Sequence, residues 1–317
     1  MVAPMAGGPS SPGLVNAAAA AGSLGFLATG AAPAAVLEAQ MAQMTGRYGV
    51  NLFTRQAPFD SLSDVAAVAA ALSAPGIPDV DLSNDFEAKF DAVLRAEDPP
   101  EVVSATFGPF TRAQIDALHG RGISAWITVT SPADAAAAAE LGADALVVQG
   151  PEAGGHRSTW TVTEDPDGRP LPDLVRSVAE AVDLPLVAAG GVRDRADVQR
   201  VLALPGVVAV SCGSAFLLAD EAGTSDFNRR LLSGGGRSVA SRAFSGRVAR
   251  GLETDFSREH PDMPPIYPYL APLLAPLRER APREHAYCLA GVGVDRLRCG
   301  GTAEILRSLA VEQAVSG

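Results

Sequence analysis

Lysine is almost absent from this chain of 317 residues: it occurs once, at Lys89, against 24 arginines. The formal net charge at pH 7 is −11. An acidic balance of this size opposes binding to the phosphate backbone of nucleic acids and to anionic membrane surfaces. We therefore expect neither nucleic acid nor a membrane among the partners of this protein.

Cysteine is also scarce. Cys212, Cys288 and Cys299 are the only three, and their spacing matches no metal site. An odd number is a poor basis for a disulfide framework, and free thiols are typical of a reducing compartment. No basic segment opens the chain ahead of an apolar one, so no secretory signal is predicted. The uncharged stretch Leu14–Leu37 is interrupted by glycine and proline and is not expected to span a membrane. These features predict a cytoplasmic protein.

Apolar residues, in contrast, are abundant at 47% and recur in short, nearly continuous runs. Runs of this kind are typical of parallel strands whose two faces are both covered. Eight of these runs are each followed by a loop, and in seven cases the loop leads into a helical stretch. This repeat predicts an α/β fold of the (β/α)8 TIM-barrel type. A doubly wound open sheet is the alternative. The predicted strands are Val2–Met5, Leu24–Ala28, Tyr48–Leu52, Val102–Ala105, Ser124–Val129, Ala145–Gln149, Leu186–Ala189 and Val207–Ser211.

After the eighth predicted strand the pattern changes to glycine-rich, arginine-rich and proline-rich stretches. We interpret residues 1–219 as the barrel and residues 220–285 as an inserted subdomain that covers the mouth of the active site. Residues 286–317 form a C-terminal segment, in which a final helix, Gly301–Leu309, closes the barrel.

The most informative run is Gln149-Gly-Pro-Glu-Ala-Gly-Gly-His-Arg157, which directly follows a predicted strand. It places His156, one of only four histidines, at the carboxyl rim of the barrel, where TIM-barrel enzymes carry their active sites. Glycines allow the backbone to approach a ligand closely, and an imidazole exchanges a proton near neutral pH. The alternative is a loop histidine that caps a helix or bonds a carbonyl, and the run alone leaves both open.

Two glycine-bearing turns follow the seventh and eighth predicted strands. Gly190-Gly191 is the first, and Cys212-Gly213-Ser214 is the second. In barrels the backbone N–H groups at these two places commonly bind a phosphate group, so that no lysine is required. Either turn alone could be an ordinary tight turn, but the two together favour a phosphate site.

Two amides, Asn51 and Gln149, also end predicted strands at this rim. Their donors and acceptors suit the edge of a heteroaromatic ring, although bonds to the loop backbone would explain each one equally well. The turn Pro4–Ser10, after the first predicted strand, is suggestive only in combination with them. Together these groups predict a cofactor that carries a phosphate and a polar ring. Neither a Gly-x-Ser-x-Gly elbow nor a metal-binding spacing is found. His119 is expected on the surface of a helix. His260 and His285 are expected to be structural, with a position at the mouth of the site left open for His260.

These motifs together resemble the nitronate monooxygenase family, formerly called 2-nitropropane dioxygenases. The resemblance spans nearly the whole chain, and its most specific part is the run Glu-Ala-Gly-Gly-His-Arg. The matching segments are Pro4–Pro9, Gly25–Ala28, Gly49–Phe53, Gln149–Arg157, Ala188–Gly191, Gly213–Phe216, Asp220–Ser225, Ser241–Arg247 and Tyr267–Arg278.

The resemblance implies an FMN-dependent enzyme that oxidises alkyl nitronates with O2 to a carbonyl compound and nitrite. His156 would be the catalytic residue, which takes the α-proton of a neutral nitroalkane or orients a preformed nitronate. Met5 and Ala6 would pack near the flavin ring. The other implied contacts to FMN are Asn51, Gln149, Gly154, Gly190, Gly191, Ser211, Cys212, Gly213 and Ser214.

The chain departs from the family pattern at several places, and two other functions stay open. The family commonly has Gln at position 211 and Thr at position 214, and the first strand is short here. A flavin-dependent enoyl-acyl-carrier-protein reductase would share the barrel but need a nicotinamide donor. A non-catalytic flavin-binding or scaffold protein is the alternative from another class. The expected partners are a small nitro or nitronate substrate and O2, and a homo-oligomer is also open.

Overall fold

The computed structural model describes residues 1–311, and its centre is a parallel sheet of seven strands in the order β1-β2-β3-β4-β5-β7-β8. The remaining strands form a separate antiparallel sheet in the order β6-β10-β9. The central strands are β1 Phe26–Ala28, β2 Gly49–Phe53, β3 Val102–Thr106, β4 Ser124–Val129, β5 Ala145–Gln149, β7 Leu186–Ala189 and β8 Val207–Ser211. The others are β6 Gly155–His156, β9 Ser238–Ser241 and β10 Ala249–Leu252.

Val2 closes this sheet into a barrel. The Val2 N–H donates to the Leu24 carbonyl at 2.9 Å, just before β1, and Val2 is bridged in parallel to Cys212, just after β8. The prediction of a (β/α)8 barrel is therefore confirmed, but the predicted first strand, Val2–Met5, is wrong in its extent. Pro4 has no N–H to donate to a strand ladder, and the chain turns at once through residues 6–9.

Helices cover the outside of the barrel, and several begin where a side chain accepts a backbone N–H. Thr111, Ser131 and Asp194 do so at the starts of α5, α6 and α8. The helices are α1 Pro12–Ala20, α2 Ala34–Met41, α3 Ser63–Ala71, α4 Phe86–Arg95, α5 Arg112–His119, α6 Pro132–Leu141, α7 Leu171–Ala181, α8 Arg195–Leu202, α9 Asp226–Ser233, α10 Asp255–Glu259, α11 Leu270–Arg280 and α12 Thr302–Leu309.

Outside the regular barrel units, the structure contains elements that the sequence pattern did not predict. Helix α3 lies between β2 and α4, where the sequence pattern predicted no strand or helix, and its buried Val65 and Ala69 belong to the same apolar cluster as α11. Strand β6 pairs with β10, so a short piece of residues 1–219 joins the sheet of residues 220–285. The three-part division of the chain stays a prediction, and residues 312–317 of its last part lie outside the described residues.

The single lysine is fully buried. Lys89, on α4, has no exposed surface, and its ammonium group donates to the carbonyls of Gly30 and Asn84, both at 2.6 Å. Burial lowers the pKa of this ammonium group. Lys89 thus connects α4 to the loop after β1, and its role is structural.

One tight contact inside the barrel gives a test of the packing. A Cβ added at Gly49 would lie 2.4 Å from Cε1 of Phe26, which is buried on the neighbouring strand β1. We expect Gly49→Ala to lower the free energy of unfolding by about 1–3 kcal/mol, because the phenyl ring must move within a filled core. Urea denaturation measures the change. The control is Gly76→Ala at an exposed position where an added Cβ meets no described atom within 4 Å. Equal unfolding midpoints for the two variants would contradict this account of the barrel core.

Candidate active site

His156 lies on β6, seven positions after Gln149 at the carboxyl end of β5, and it pairs with Ala249 of β10. Its Nε2 atom is 2.8 Å from Oγ of Ser245 and 3.5 Å from the hydroxyl of Tyr287. The rings of Phe107 and Tyr267 meet the imidazole edge-on, with centroids 5.6 and 5.3 Å away. The imidazole is therefore enclosed by aromatic rings and has one close hydroxyl partner.

This surrounding controls the charge of the imidazole. Burial, together with the nearby positive charge of Arg247, lowers the pKa of His156 to about 3. Burial also raises the pKa of Tyr267 to about 12. The ring of His156 is consequently neutral, and the phenol beside it keeps its proton, across the physiological range. A neutral imidazole is the form that can accept a proton.

Arg247 is a buried cation next to this histidine. Only 1% of it is exposed, and its guanidinium stands over the ring of Phe107 at 4.2 Å. It donates to the carbonyl and hydroxyl oxygens of Thr159 at 2.8 and 2.9 Å and to Oε1 of Gln56 at 2.6 Å. Within residues 1–311 no carboxylate comes within 4.0 Å of it. Its charge is therefore held by neutral acceptors alone.

The sequence did not single out Ser245, Arg247, Tyr267 or Tyr287 as site residues. They come from a region without regular periodicity, about 90 to 130 positions after His156. The amino-acid composition contains one signal by which two of them could have been identified. Tyrosine occurs only four times, and two of those four side chains contact the imidazole.

Gln149, at the end of β5, holds the loop that carries His156. Its Nε2 donates to the His156 carbonyl at 2.8 Å, and its Oε1 accepts from the Ser158 N–H at 2.9 Å. This is the backbone role that the sequence left open for this amide. A contact with a cofactor would use the remaining donor and acceptor, and it stays a prediction.

Asn51, on β2, is likewise bonded to its surroundings. Its Nδ2 donates to Oγ of Ser104 at 2.9 Å and to Oγ1 of Thr106 at 3.0 Å, both on the neighbouring strand β3. The side chain is buried and crosses from one strand to the next near the rim. Its prediction as a cofactor contact is also untested.

The two glycine turns come together at the carboxyl ends of β7 and β8. Gly190 and Gly191 have φ values of +137° and +70°, which favour glycine. A Cβ at Gly191 would lie 3.0 Å from Cβ of Glu152, so this turn is closely packed. At the other turn Oγ of Ser214 accepts the N–H of Gly291 at 2.8 Å. Because that oxygen acts as the acceptor, the Ser214 hydroxyl proton is free for another partner.

The other predicted contacts lie around the same rim. Met5 packs against Gly213, where an added Cβ would meet its Cγ at 3.5 Å, and Ala6 packs against Gly30 in the same way at 3.1 Å. Gly154 is so close to the backbone that a Cβ would lie 2.4 Å from N of Gly291. Ser211 ends β8, and Cys212 follows it.

These residues fit a cofactor that carries a phosphate. Two adjacent glycines leave a turn without side chains at the end of β7, and a serine with a free hydroxyl proton begins the short 3-10 helix Ser214–Phe216 at the end of β8. Backbone N–H groups at such turns, supplemented by a hydroxyl donor, are suited to phosphate oxygens.

Glu152 and the other three histidines have structural partners. Glu152 accepts the N–H of Leu171 at the start of α7, and His119 pairs with Asp144 at 2.9 Å on the surface. His260 and His285 both pack against Phe256. Across residues 1–311 no group of three or more His, Cys, Asp or Glu residues is placed to hold a metal ion. Over the same range no helix is both long and apolar enough to cross a membrane.

A barrel with a buried histidine and two glycine turns at its carboxyl rim belongs to the class of α/β barrel proteins, whose enzymes carry their active sites at this rim. Comparisons with known proteins narrow this class. The family model for nitronate monooxygenase matches residues 1–312. A nitronate monooxygenase of Pseudomonas aeruginosa is 33% identical over 98% of this chain and 94% of its own length. The chain therefore belongs to the nitronate monooxygenase family, and the resemblance predicted from its motifs is confirmed.

Solved structures agree with this assignment. The nitroalkane oxidase from Streptomyces ansochromogenes is 35% identical, with a TM-score of 0.86 over 97% of this chain and 93% of its own. FabK from Thermotoga maritima has a TM-score of 0.71 over 97% of this chain and 91% of its own, but only 21% identity. The second likeness shows the shared barrel fold alone.

The charge of His156 can be measured directly. We expect the ¹⁵N shifts of its ring to remain those of a neutral imidazole from pH 8 to pH 5, because the pKa lies near 3. A free histidine titrates with a pKa of about 6.5.

The pKa of His156 is lower in the folded protein than in the unfolded chain. Protonation therefore favours the unfolded chain, and stability falls as the pH drops below 6.5. His156→Asn should remove that part of the acid sensitivity. A ring that titrates near pH 6.5 in the folded protein would contradict the enclosure described here.

Proposed function

We propose that this protein uses FMN to oxidise alkyl nitronates, and less efficiently neutral nitroalkanes, with O2 to a carbonyl compound and nitrite. The observation that carries the proposal is the neutral, enclosed imidazole of His156 at the carboxyl rim, in a chain of this family. The family is flavin-dependent in general, and the backbone of the two glycine turns supports the proposal of a phosphate site.

FMN, when bound, supplies the redox chemistry of the reaction. We assign its phosphate to the backbone of Gly190, Gly191 and Gly213 and to the hydroxyl of Ser214. Met5 and Ala6 would pack beside its ring, on the side of the barrel where the first predicted strand ends. The amides of Asn51 and Gln149 would reach the ring with the hydrogen-bonding capacity that their protein partners leave free.

His156 would bind and orient the substrate, and for a neutral nitroalkane it would take the α-proton on its ring. A base whose pKa is about 3 is weak, which makes a preformed nitronate the better substrate. The reaction itself reduces this weakness. A nitronate anion formed beside the ring is an opposite charge, which favours the protonated imidazole and raises its pKa as the proton arrives.

Ser245 and Tyr267 would narrow access to this histidine. Both belong to residues 220–285, for which we propose the role of a cover over the active-site mouth. The sheet that joins β6 to β10 brings this segment against His156. A cover of this kind limits water around the reacting groups, and this strengthens electrostatic interactions among them.

The cytoplasm is the location that we propose, because Cys212, Cys288 and Cys299 are all free thiols. The partners in this proposal are the nitro or nitronate substrate and O2.

Purified protein with FMN tests the function. We expect a flavin absorption spectrum that bleaches when an alkyl nitronate is added without oxygen and returns on aeration, with nitrite as a product. NADH alone should leave the spectrum unchanged. Bleaching by NADH would instead favour the enoyl reductase alternative. A flavin complex that reacts with neither compound would favour the non-catalytic alternative.

Removal of the imidazole tests the role of His156. A positioned general base typically contributes about 10²–10⁴-fold, so His156→Asn should lower kcat/KM for neutral nitroalkanes by about that factor. Turnover of preformed nitronate, which has already lost the proton, should fall much less. The matched control is His119→Asn on the exposed surface of α5. Equal losses for the two substrate forms would show that His156 is not the base.

A further inference from the structure

Arg193 lies between the glycine turn after β7 and the start of α8, and its side chain is buried. Only 5% of the residue is exposed, and its Nη1 donates to the Val192 carbonyl at 2.8 Å. Its Nε and Nη2 atoms are buried, and within residues 1–311 neither has a hydrogen-bond partner. These two nitrogens form one edge of the guanidinium group, the edge that can donate two parallel hydrogen bonds to a single anion.

The carboxylates close to Arg193 are engaged elsewhere. Asp197 accepts the backbone N–H of Arg193 at 2.9 Å and pairs with the side chains of Arg200 and of Arg296, the latter at 2.8 Å. Asp194 pairs with Arg296 as well. A buried guanidinium with no acceptor on one edge is costly, and here burial lowers the pKa of Arg193. An anion at this edge would offset that cost.

The unpartnered edge of Arg193 lies against Gly291, which is hydrogen-bonded to the second glycine turn. A Cβ added at Gly291 would be 2.9 Å from Nη2 of Arg193, and the N–H of the same Gly291 donates to Oγ of Ser214 at 2.8 Å. Arg193 is also close enough to Cys212, which directly precedes Gly213-Ser214, for its positive charge to lower the pKa of that thiol, against the larger raising effect of burial. The guanidinium is thus next to the residues to which we assign the FMN phosphate.

We propose that Arg193 is a side-chain ligand of the FMN phosphate, to which its Nε and Nη2 donate. This inference rests on the proposed cofactor and changes the expected character of its site. The sequence predicted a phosphate held by backbone N–H groups, whereas a guanidinium adds a permanent positive charge and a bidentate side-chain donor. Riboflavin, which lacks the phosphate, would gain nothing from this residue.

A comparison of FMN with riboflavin on the flavin-free protein tests the proposal through quenching of flavin fluorescence, without any assay of activity. Hydrogen bonds to charged groups contribute about 1.5–3 kcal/mol, so Arg193→Gln should weaken FMN binding by about 10–100-fold. Riboflavin binding should stay unchanged. Arg193→Lys keeps the positive charge but loses the bidentate edge, so it should weaken FMN binding less than Arg193→Gln does. It also tests the proposal if Arg193→Gln does not fold. Arg195→Gln, at an exposed position two residues later, is the matched control.

Competition with inorganic phosphate distinguishes the two possible anions at Arg193, which are the phosphate group of FMN and a free phosphate ion at a separate site. In the wild type it should compete with FMN and not with riboflavin, because it would occupy the same place as the flavin phosphate. Phosphate that binds through Arg193 without displacing FMN would overturn the proposal in favour of a separate anion site. Unchanged FMN affinity in Arg193→Gln, or an equal loss for FMN and riboflavin, would overturn it too. If the role of Arg193 is overturned but the wild type binds FMN, the proposal of FMN as the cofactor is unaffected. A wild type that binds neither flavin would refute the cofactor itself.

Discussion

The interaction on which the site depends is the burial of the Arg247 guanidinium among neutral groups. Its hydrogen bonds to Thr159 and Gln56 and its contact with Phe107 join the loop after β6, the loop after β2 and the loop after β3. Its charge is one of the two causes that keep His156 neutral. The geometry of the imidazole and its protonation state therefore have a common origin.

The buried charges near the carboxyl rim of the barrel have the opposite sign to the net charge of the whole molecule. The chain carries a net charge of −11, yet its two most notable buried charges near the rim, Arg193 and Arg247, are positive and lack a carboxylate partner on the guanidinium in residues 1–311. A cation in a poorly hydrated place attracts an anion more strongly than the same cation on the surface. Such a rim suits a nitronate and a phosphate, which are both anionic, and the acidic exterior does not cancel this preference at short range.

The periodic part of the fold could be predicted from the sequence, because each strand and helix of the barrel repeats a local pattern. Residues 145–149, for example, are recognisable as a buried strand without knowledge of their neighbours. The predicted extent of the first strand was wrong because the apolar run contains a proline, which cannot donate to a strand ladder. The predicted position of His156 depended on the same local pattern. Its contacts with Ser245 and Tyr267 depend on the pairing of β6 with β10, which joins residues about 90 positions apart. A local pattern contains no information about such a pairing, and it also could not show that Gln149 bonds the backbone of its own loop.

The buried position of Lys89 has a chemical consequence for the exterior. Since the only lysine side chain in the sequence has no exposed surface and is bonded to two carbonyls, no lysine amine is offered to the solvent. The positive charges on the outside are therefore guanidinium groups, which do not lose their protons in the range where proteins are stable. Acylating reagents, amine-directed cross-linkers and enzymes that acetylate or ubiquitinate lysine would find no side chain to modify on the folded protein. The reactive nucleophile that the surface does offer is the thiol of Cys299, the one exposed cysteine of the three.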